Sequence, residues 1–290
     1  VTVRDTLLAV LVAAIWGFAF VVIRLGVDEM PPLVLTAMRF LFSALPAVFF
    51  LPPPKARVGL VIAFGTVLGI IKFGLLFSAL KLGMTAGLAS LLMQMQVFFT
   101  IGLATLLFHD RPSPIQLIGA LVAMGGVAAI GLAKGSGAPV VPFLMVLAAA
   151  FMWGVANIIA KKAQGADMLA FVVWASLVPP LPLLALSVWI DGADAVWQPL
   201  THPTWFAALL VFILAIPTTV FAFSVWTRLL KTYPTAVVTP FALLVPVFGF
   251  LSGWAFLGEA MTLPVIIGAG LVLLGLAINV FGPDAIRRLR

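Results

Sequence analysis

Two cations interrupt long apolar runs of this chain: Arg39 within LTAMRFLF and Lys72 within FGTVLGIIKFGLLF. Neither run holds an acidic residue, so Lys72 is a candidate to receive a carboxylate that arrives with a ligand. The competing role is a lysine that stretches toward lipid headgroups or a backbone carbonyl. Arg39 lies nearer the end of its run and reads as an anchor that snorkels or pairs with Asp28, Glu29 or Glu259. Polar amides come next. Gln94 and Gln96 are two positions apart, so on a helix they point to different faces and at most one can look squarely into a shared cavity. Asn157 and Ser224 are further candidates to line a pathway, with inter-helix bonding as the alternative for the amides and bonding back to its own helix as the alternative for the serine. Trp16 and Phe20 stand one helical turn apart, and Trp153 and Asn157 repeat that spacing. The rings offer π faces to an ammonium or an apolar side chain; plain packing or lipid contact is the other use of such a pair.

The residue types suit binding better than catalysis. HExxH, GxSxG and Walker-type loops are all absent, and with no cysteine there is neither a thiol nucleophile nor a thiolate metal site. No cofactor and no metal are expected, and ATP has no loop to drive the protein directly.

The elements that hold these residues follow from composition. Hydrophobic residues make up 64% of the chain and charged ones 9%, against about 45 to 50% and about 25% in an ordinary soluble domain. Apolar runs of about 20 residues fit the ~30 Å hydrocarbon layer as helices, and the alternation a membrane barrel needs is missing. The fold class is therefore an all-α membrane protein. Hydropathy and breakers place ten spans near 6–23, 33–51, 58–80, 84–107, 115–133, 140–160, 168–189, 205–227, 234–257 and 264–282. The first run is too long and too poorly flanked for a cleaved signal peptide. Pro217 and Pro246, inside the eighth and ninth spans, predict kinks that free backbone carbonyls.

With the amino terminus in the cytoplasm, that side holds Arg4, Lys55, Arg57, Arg111, Lys161, Lys162, Arg228, Lys231, Arg287, Arg288 and Arg290, and the other side only Arg24, Lys81 and Lys134. Such asymmetry places both termini inside and explains the net charge of +7 without nucleic acid as a partner. The two histidines, His109 and His202, then fall on opposite sides, which leaves no pair for an intramembrane enzyme.

The chain also repeats itself. VLVAAIWGFAFVVIR at 10–24 is echoed by LAAAFMWGVANIIAK at 147–161, and Thr85-Ala86, Asp110, Gly119 and Gly126 recur as Thr235-Ala236, Glu259, Gly268 and Gly275. Two five-helix repeats, 1–133 and 140–290, are joined by the polar stretch 134–139. Five spans is an odd number, so the second half enters from the opposite side and the repeats are inverted. The paired glycines stand two turns apart and read as close helix packing.

The Trp-Gly first helices, the Arg39-Phe40 step, the Leu257-Gly258-Glu259 helix end and the closing glycine helices resemble the drug/metabolite transporter superfamily, EamA type, over nearly the whole chain. Met30-Pro-Pro-Leu33, Gly87-Leu-Ala-Ser90, Gln94-Met-Gln96-Val-Phe-Phe-Thr100 and Ile278-Asn-Val-Phe-Gly282 are similar to bacterial exporters of cysteine, O-acetylserine and other amino acids, with aromatic amino-acid exporters as relatives. His109-Asp110 stands where the family usually has Gly-Glu. The resemblance implies a ten-helix exporter in a bacterial cytoplasmic (inner) membrane, with a substrate cavity between the halves. Its partners are a small amino acid or metabolite and the bilayer, and a monomer suffices for that work. A multidrug or lipid transporter of the same fold is the alternative; a cationic drug, however, would meet Lys72 where it needs a carboxylate.

The topology has a direct test, because single cysteines enter a chain that has none. At Gly137 and Asp194 they are expected to react with an impermeant thiol reagent from outside, and at Ala56 and Gln164 only from inside; the reverse pattern rules out the inverted arrangement.

Overall fold

The computed structural model describes residues 2–109, 112–133, 140–163, 165–233 and 238–289. The expected joint at 134–139, together with Asp110, Arg111, Gln164, Pro234, Thr235, Ala236 and Arg290, lies outside the described residues. Among those described there is no strand. We number the helices α1 (Val3–Glu29), α2 (Pro32–Val48), α3 (Val58–Lys81), α4 (Ala86–Phe108), α5 (Pro114–Ala133), α6 (Val140–Lys162), α7 (Met168–Asp191), α8 (Ala193–Thr201), α9 (205–232), α10 (239–257) and α11 (Leu263–Leu289). Seven of them are long and apolar enough to cross a membrane, and three shorter apolar helices lie at Pro32–Leu45, Pro114–Ile130 and Phe241–Leu257. Each span read from the sequence falls on one of these. The short helix α8, which starts after the positive φ of Gly192 and carries Pro199, was not anticipated.

The helices are irregular in a paired way. The middle of α3 widens into a π-helix at Gly65–Lys72, and the middle of α9 does the same at Ile216–Phe221. Tight 3-10 segments fall at Met93–Met95 in α4 and at Thr239–Leu243 in α10. π segments inside α-helices are rare and concentrate at functional sites.

Two kinds of helix pair hold the bundle. The Trp-Gly helices pack across the halves: a methyl group on Gly17 of α1 would sit 2.7 Å from the Val245 carbonyl oxygen of α10, and one on Gly154 of α6 would sit 3.2 Å from the Thr100 nitrogen of α4. α5 lies along α11 with their glycines crossed. A methyl group on Gly119 would lie 2.6 Å from the Gly275 carbonyl oxygen, and one on Gly126 would lie 2.6 Å from that of Gly268. The close packing expected of these glycines is what the structure shows, with backbone approaching backbone as small residues allow.

A third close approach positions the centre of the molecule. Helix α7 breaks at Ser176–Pro179, and Ala175, Val178 and Pro179 at the break rest on Gly65 and Gly69 of the α3 π segment, leaving no room for a side chain at either glycine. One face of that segment is thus filled by α7. Lys72, at its last position, is buried within the bundle.

Glycine 126 and its neighbour give a controlled test of the α5–α11 seam, since a methyl group at Gly125 meets nothing within 4 Å. Gly126→Ala is expected to cost about 1 to 3 kcal/mol and to lower the unfolding midpoint in detergent, whereas Gly125→Ala leaves that midpoint unchanged or slightly raised.

Candidate functional site: two cations on one aromatic ring

Lys72 and Arg39 are each 4% exposed. The Lys72 ammonium stands 3.2 Å from the centre of the Phe73 ring and 4.5 Å from that of Trp153. The Arg39 guanidinium stacks 4.2 Å from the same Phe73 ring. Both charges therefore lie against one ring, no more than about 7.4 Å apart, where they repel by at least about 2 kcal/mol at an effective dielectric of 20. Cation–π contacts worth about 0.5 to 2 kcal/mol each offset part of that.

The anchor role expected of Arg39 is corrected by its surroundings. Its Nε and Nη2 both donate to Thr219 Oγ1 at 3.3 Å. The three carboxylates that could have paired with it are engaged elsewhere. Asp28 takes Arg24 at 2.6 Å and Lys81 at 3.6 Å, Glu29 accepts from the Thr204 hydroxyl at 2.7 Å, and Glu259 accepts from the Ala86 and Gly87 backbone N–H groups at 2.5 and 3.0 Å. The guanidinium has been drawn inward by a hydroxyl and a ring instead of outward by a headgroup or an acid.

Neither ion pair nor hydrogen bond reaches Lys72 among the described residues. Yet no fully enclosed side-chain nitrogen or oxygen among them lacks a hydrogen-bond partner. The ammonium therefore keeps a little accessible surface, and the lysine does not spend its charge on a backbone carbonyl.

Helix breaks explain where the other polar side chains went. Pro217 has no N–H, so the carbonyls around it need new donors. Thr218 Oγ1 donates to Ile213 O at 3.0 Å, Thr219 Oγ1 to Leu214 O at 2.9 Å, and Trp16 Nε1 to Thr218 O at 3.1 Å, whereas the Ser43 hydroxyl donates to Arg39 O of its own helix at 2.7 Å, with Ala215 O further off at 3.3 Å. Pro246 likewise leaves the Ala242 carbonyl without its helical donor, and Gln94 Nε2 supplies one at 3.1 Å. The kinks expected at both prolines thus take the form of a π segment at the first and a 3-10 entry just before the second.

Of the residues singled out by sequence, the structure joins Lys72 to Trp153 directly. One turn further along α6, Asn157 Nδ2 donates to Gln96 Oε1 at 2.7 Å and to Thr100 Oγ1 at 3.0 Å. Trp16 reaches the same centre through Thr218, next to the Thr219 that holds Arg39, and its ring packs on Phe223 and Trp226. Gln94 and Gln96 do diverge, the first to α10 and the second to α6. Phe20 is 8% exposed within the main apolar core. Ser224 donates back to Val220 O at 2.6 Å on its own helix. Sequence reasoning missed Phe73, Thr218 and Thr219; the Thr-Thr step right after Pro217 was the available signal for the last two.

Polar ties close the two ends of the bundle. At one end Asp5 of α1 pairs with Arg228 of α9 and accepts from Tyr233 Oη at 2.7 Å and from Thr2 Oγ1 at 2.9 Å. At the other, Glu259 after α10 caps the amino terminus of α4, whose own Thr85 makes no side-chain cap. Helix amino termini favour a carboxylate by charge as well as by hydrogen bonding. His109 and Gly258 both end their helices in the left-handed region, at φ 58° and 64°. The histidine adopts the turn that glycine makes more cheaply.

The EamA-like transporter family matches residues 5–132 and again 141–281. A probable amino-acid metabolite efflux pump of Salmonella typhimurium is 40% identical over 285 residues, covering 96% of this chain and 95% of that one. Its Escherichia coli counterpart, with the same description, is 38% identical over the same shares. A probable terminal-alkyne amino-acid exporter of Streptantibioticus cattleyicolor is 27% identical over 92% of this chain and 90% of its own. A crystal structure of another protein, 22% identical, covers 100% of both chains with a TM-score of 0.65, a likeness of fold alone. With two matches that together span nearly the whole chain, and with a cross-packed Trp-Gly helix in each, this protein belongs to the EamA-like transporter family.

Proposed function

We propose that the protein exports amino acids and related small metabolites from the cytoplasm, by alternating access through a cavity between two inverted five-helix repeats, 1–133 and 140–290. Both termini then lie in the cytoplasm, and the Asp5–Arg228–Tyr233 tie closes the inner face. The observation that carries the reading is the Lys72 ammonium, buried between Phe73 and Trp153 with no carboxylate of the described residues against it. A charge at bilayer depth costs at least about 2.5 to 3.5 kcal/mol, and a substrate carboxylate is the group that would offset it.

The substrate's ammonium goes to the other side of the same wall. Asn157 gives its amide N–H groups to Gln96 and Thr100, which leaves its Oδ1 as an acceptor one turn from Trp153. Such contacts are weak enough to release what they bind, as a carrier must. The efflux-pump and exporter descriptions of the relatives support an amino-acid class. A cationic drug would meet two buried cations, so the multidrug alternative has the wrong sign of charge.

Movement follows from the breaks. The π segments of α3 and α9 and the 3-10 segments of α4 and α10 are where the helices bend as the halves rock. Gly65 and Gly69 keep α3 seated on α7 while it does so.

In proteoliposomes, counterflow of labelled amino acid is expected to fall about 10- to 100-fold in Lys72→Gln, the loss of one charge-assisted contact worth about 1.5 to 3 kcal/mol. Lys72→Arg is expected to recover part of it. Exchange by Lys72→Gln at the parent rate, with normal insertion, would overturn the carboxylate role.

A further inference from the structure

Arg39 has more donors than the protein uses. Its Nε and Nη2 share the single Thr219 Oγ1, and that hydroxyl's own proton is committed to Leu214 O at 2.9 Å. Nη1 makes no hydrogen bond, and since no fully enclosed side-chain nitrogen among the described residues lacks a partner, it too keeps a little accessible surface. Asp28, Glu29 and Glu259 are all held by other groups. Arg39 and Lys72 therefore present two uncompensated positive charges around one Phe73 ring.

One carboxylate neutralises only half of this pair. A second cation that merely braced the helices would be served as well by a neutral donor, and Thr219 would be satisfied by its own helix. A planar guanidinium with a free edge suits an oxygen anion held at two points. Resting on the amino-acid reading above, we propose that the site is built for two anionic groups on one small molecule: the α-carboxylate at Lys72 and a second carboxylate, on the substrate's side chain, at Arg39. Dicarboxylic amino acids are then preferred over their amides of equal size.

The test compares isosteres in the wild-type protein first. Proteoliposomes loaded with unlabelled glutamine are mixed with labelled glutamine, and external glutamate or aspartate is compared with unlabelled glutamine or asparagine as competitor. Glutamate and aspartate are expected to compete at least about tenfold better than their amides, the discrimination one charge-assisted contact supplies. In Arg39→Gln that advantage is expected to collapse to within about twofold, glutamate exchange falling much further than glutamine exchange, and Arg39→Lys is expected to restore part of it. No advantage of glutamate in the wild type overturns the proposal without recourse to any variant. An equal loss of glutamine and glutamate exchange in well-inserted Arg39→Gln overturns it too, since that is what a purely structural arginine does. If no amino acid exchanges at all, the export reading itself fails; if glutamine exchanges and depends on Lys72 while glutamate has no advantage, only the second anion subsite fails.

Discussion

A backbone carbonyl that loses its helical donor inside apolar surroundings has to be given another, and much of this molecule follows from that demand. Pro217 and Pro246 remove two donors, and π turns disturb more. Some replacements come from the same helix, Thr218 and Thr219, and others from side chains on other helices: Trp16 from α1 and Gln94 from α4. The Trp16 and Gln94 repairs also link the two halves, since their carbonyls lie in α9 and α10 and the donors in the first half of the chain. The breaks and the joints that tolerate them are the same places.

The same demand separates the two kinds of polar residue in the interior. Gln94 and Trp16 are occupied by the backbone, and the Ser224 hydroxyl by its own helix. Lys72 and the free edge of Arg39 are left over. Both stand at positions that are costly to charge. The carboxylates that could have quenched it are retained at the ends of the helices, where they bind Arg24, Lys81, Thr204, Arg228 and two backbone N–H groups.

Much of this was legible in the chain. Composition gave helices in a membrane, the Trp-Gly echo gave two repeats, and the glycine spacing of α5 and α11 gave their packing. Lys72 stood out because nothing near it in sequence could pair with it. Arg39 was misread because sequence distance to Asp28 and Glu29 is short and sequence says nothing of Thr219, far along the chain and aimed by a π turn. The fates of Gln94 and Gln96 could be told apart only as a divergence; which carbonyl or amide each would meet depends on a proline or asparagine in the other half. Side-chain destinations set by irregular backbone are not written in hydropathy.

The glycine seam between α5 and α11 has one more property. Gly119 of α5 meets Gly275 of α11, and Gly126 of α5 meets Gly268 of α11. A contact in which each partner offers the same patch in reversed order is self-complementary, the kind that joins identical chains across a twofold axis. A half-length ancestor with these glycines would have been able to dimerise with its own copy through them.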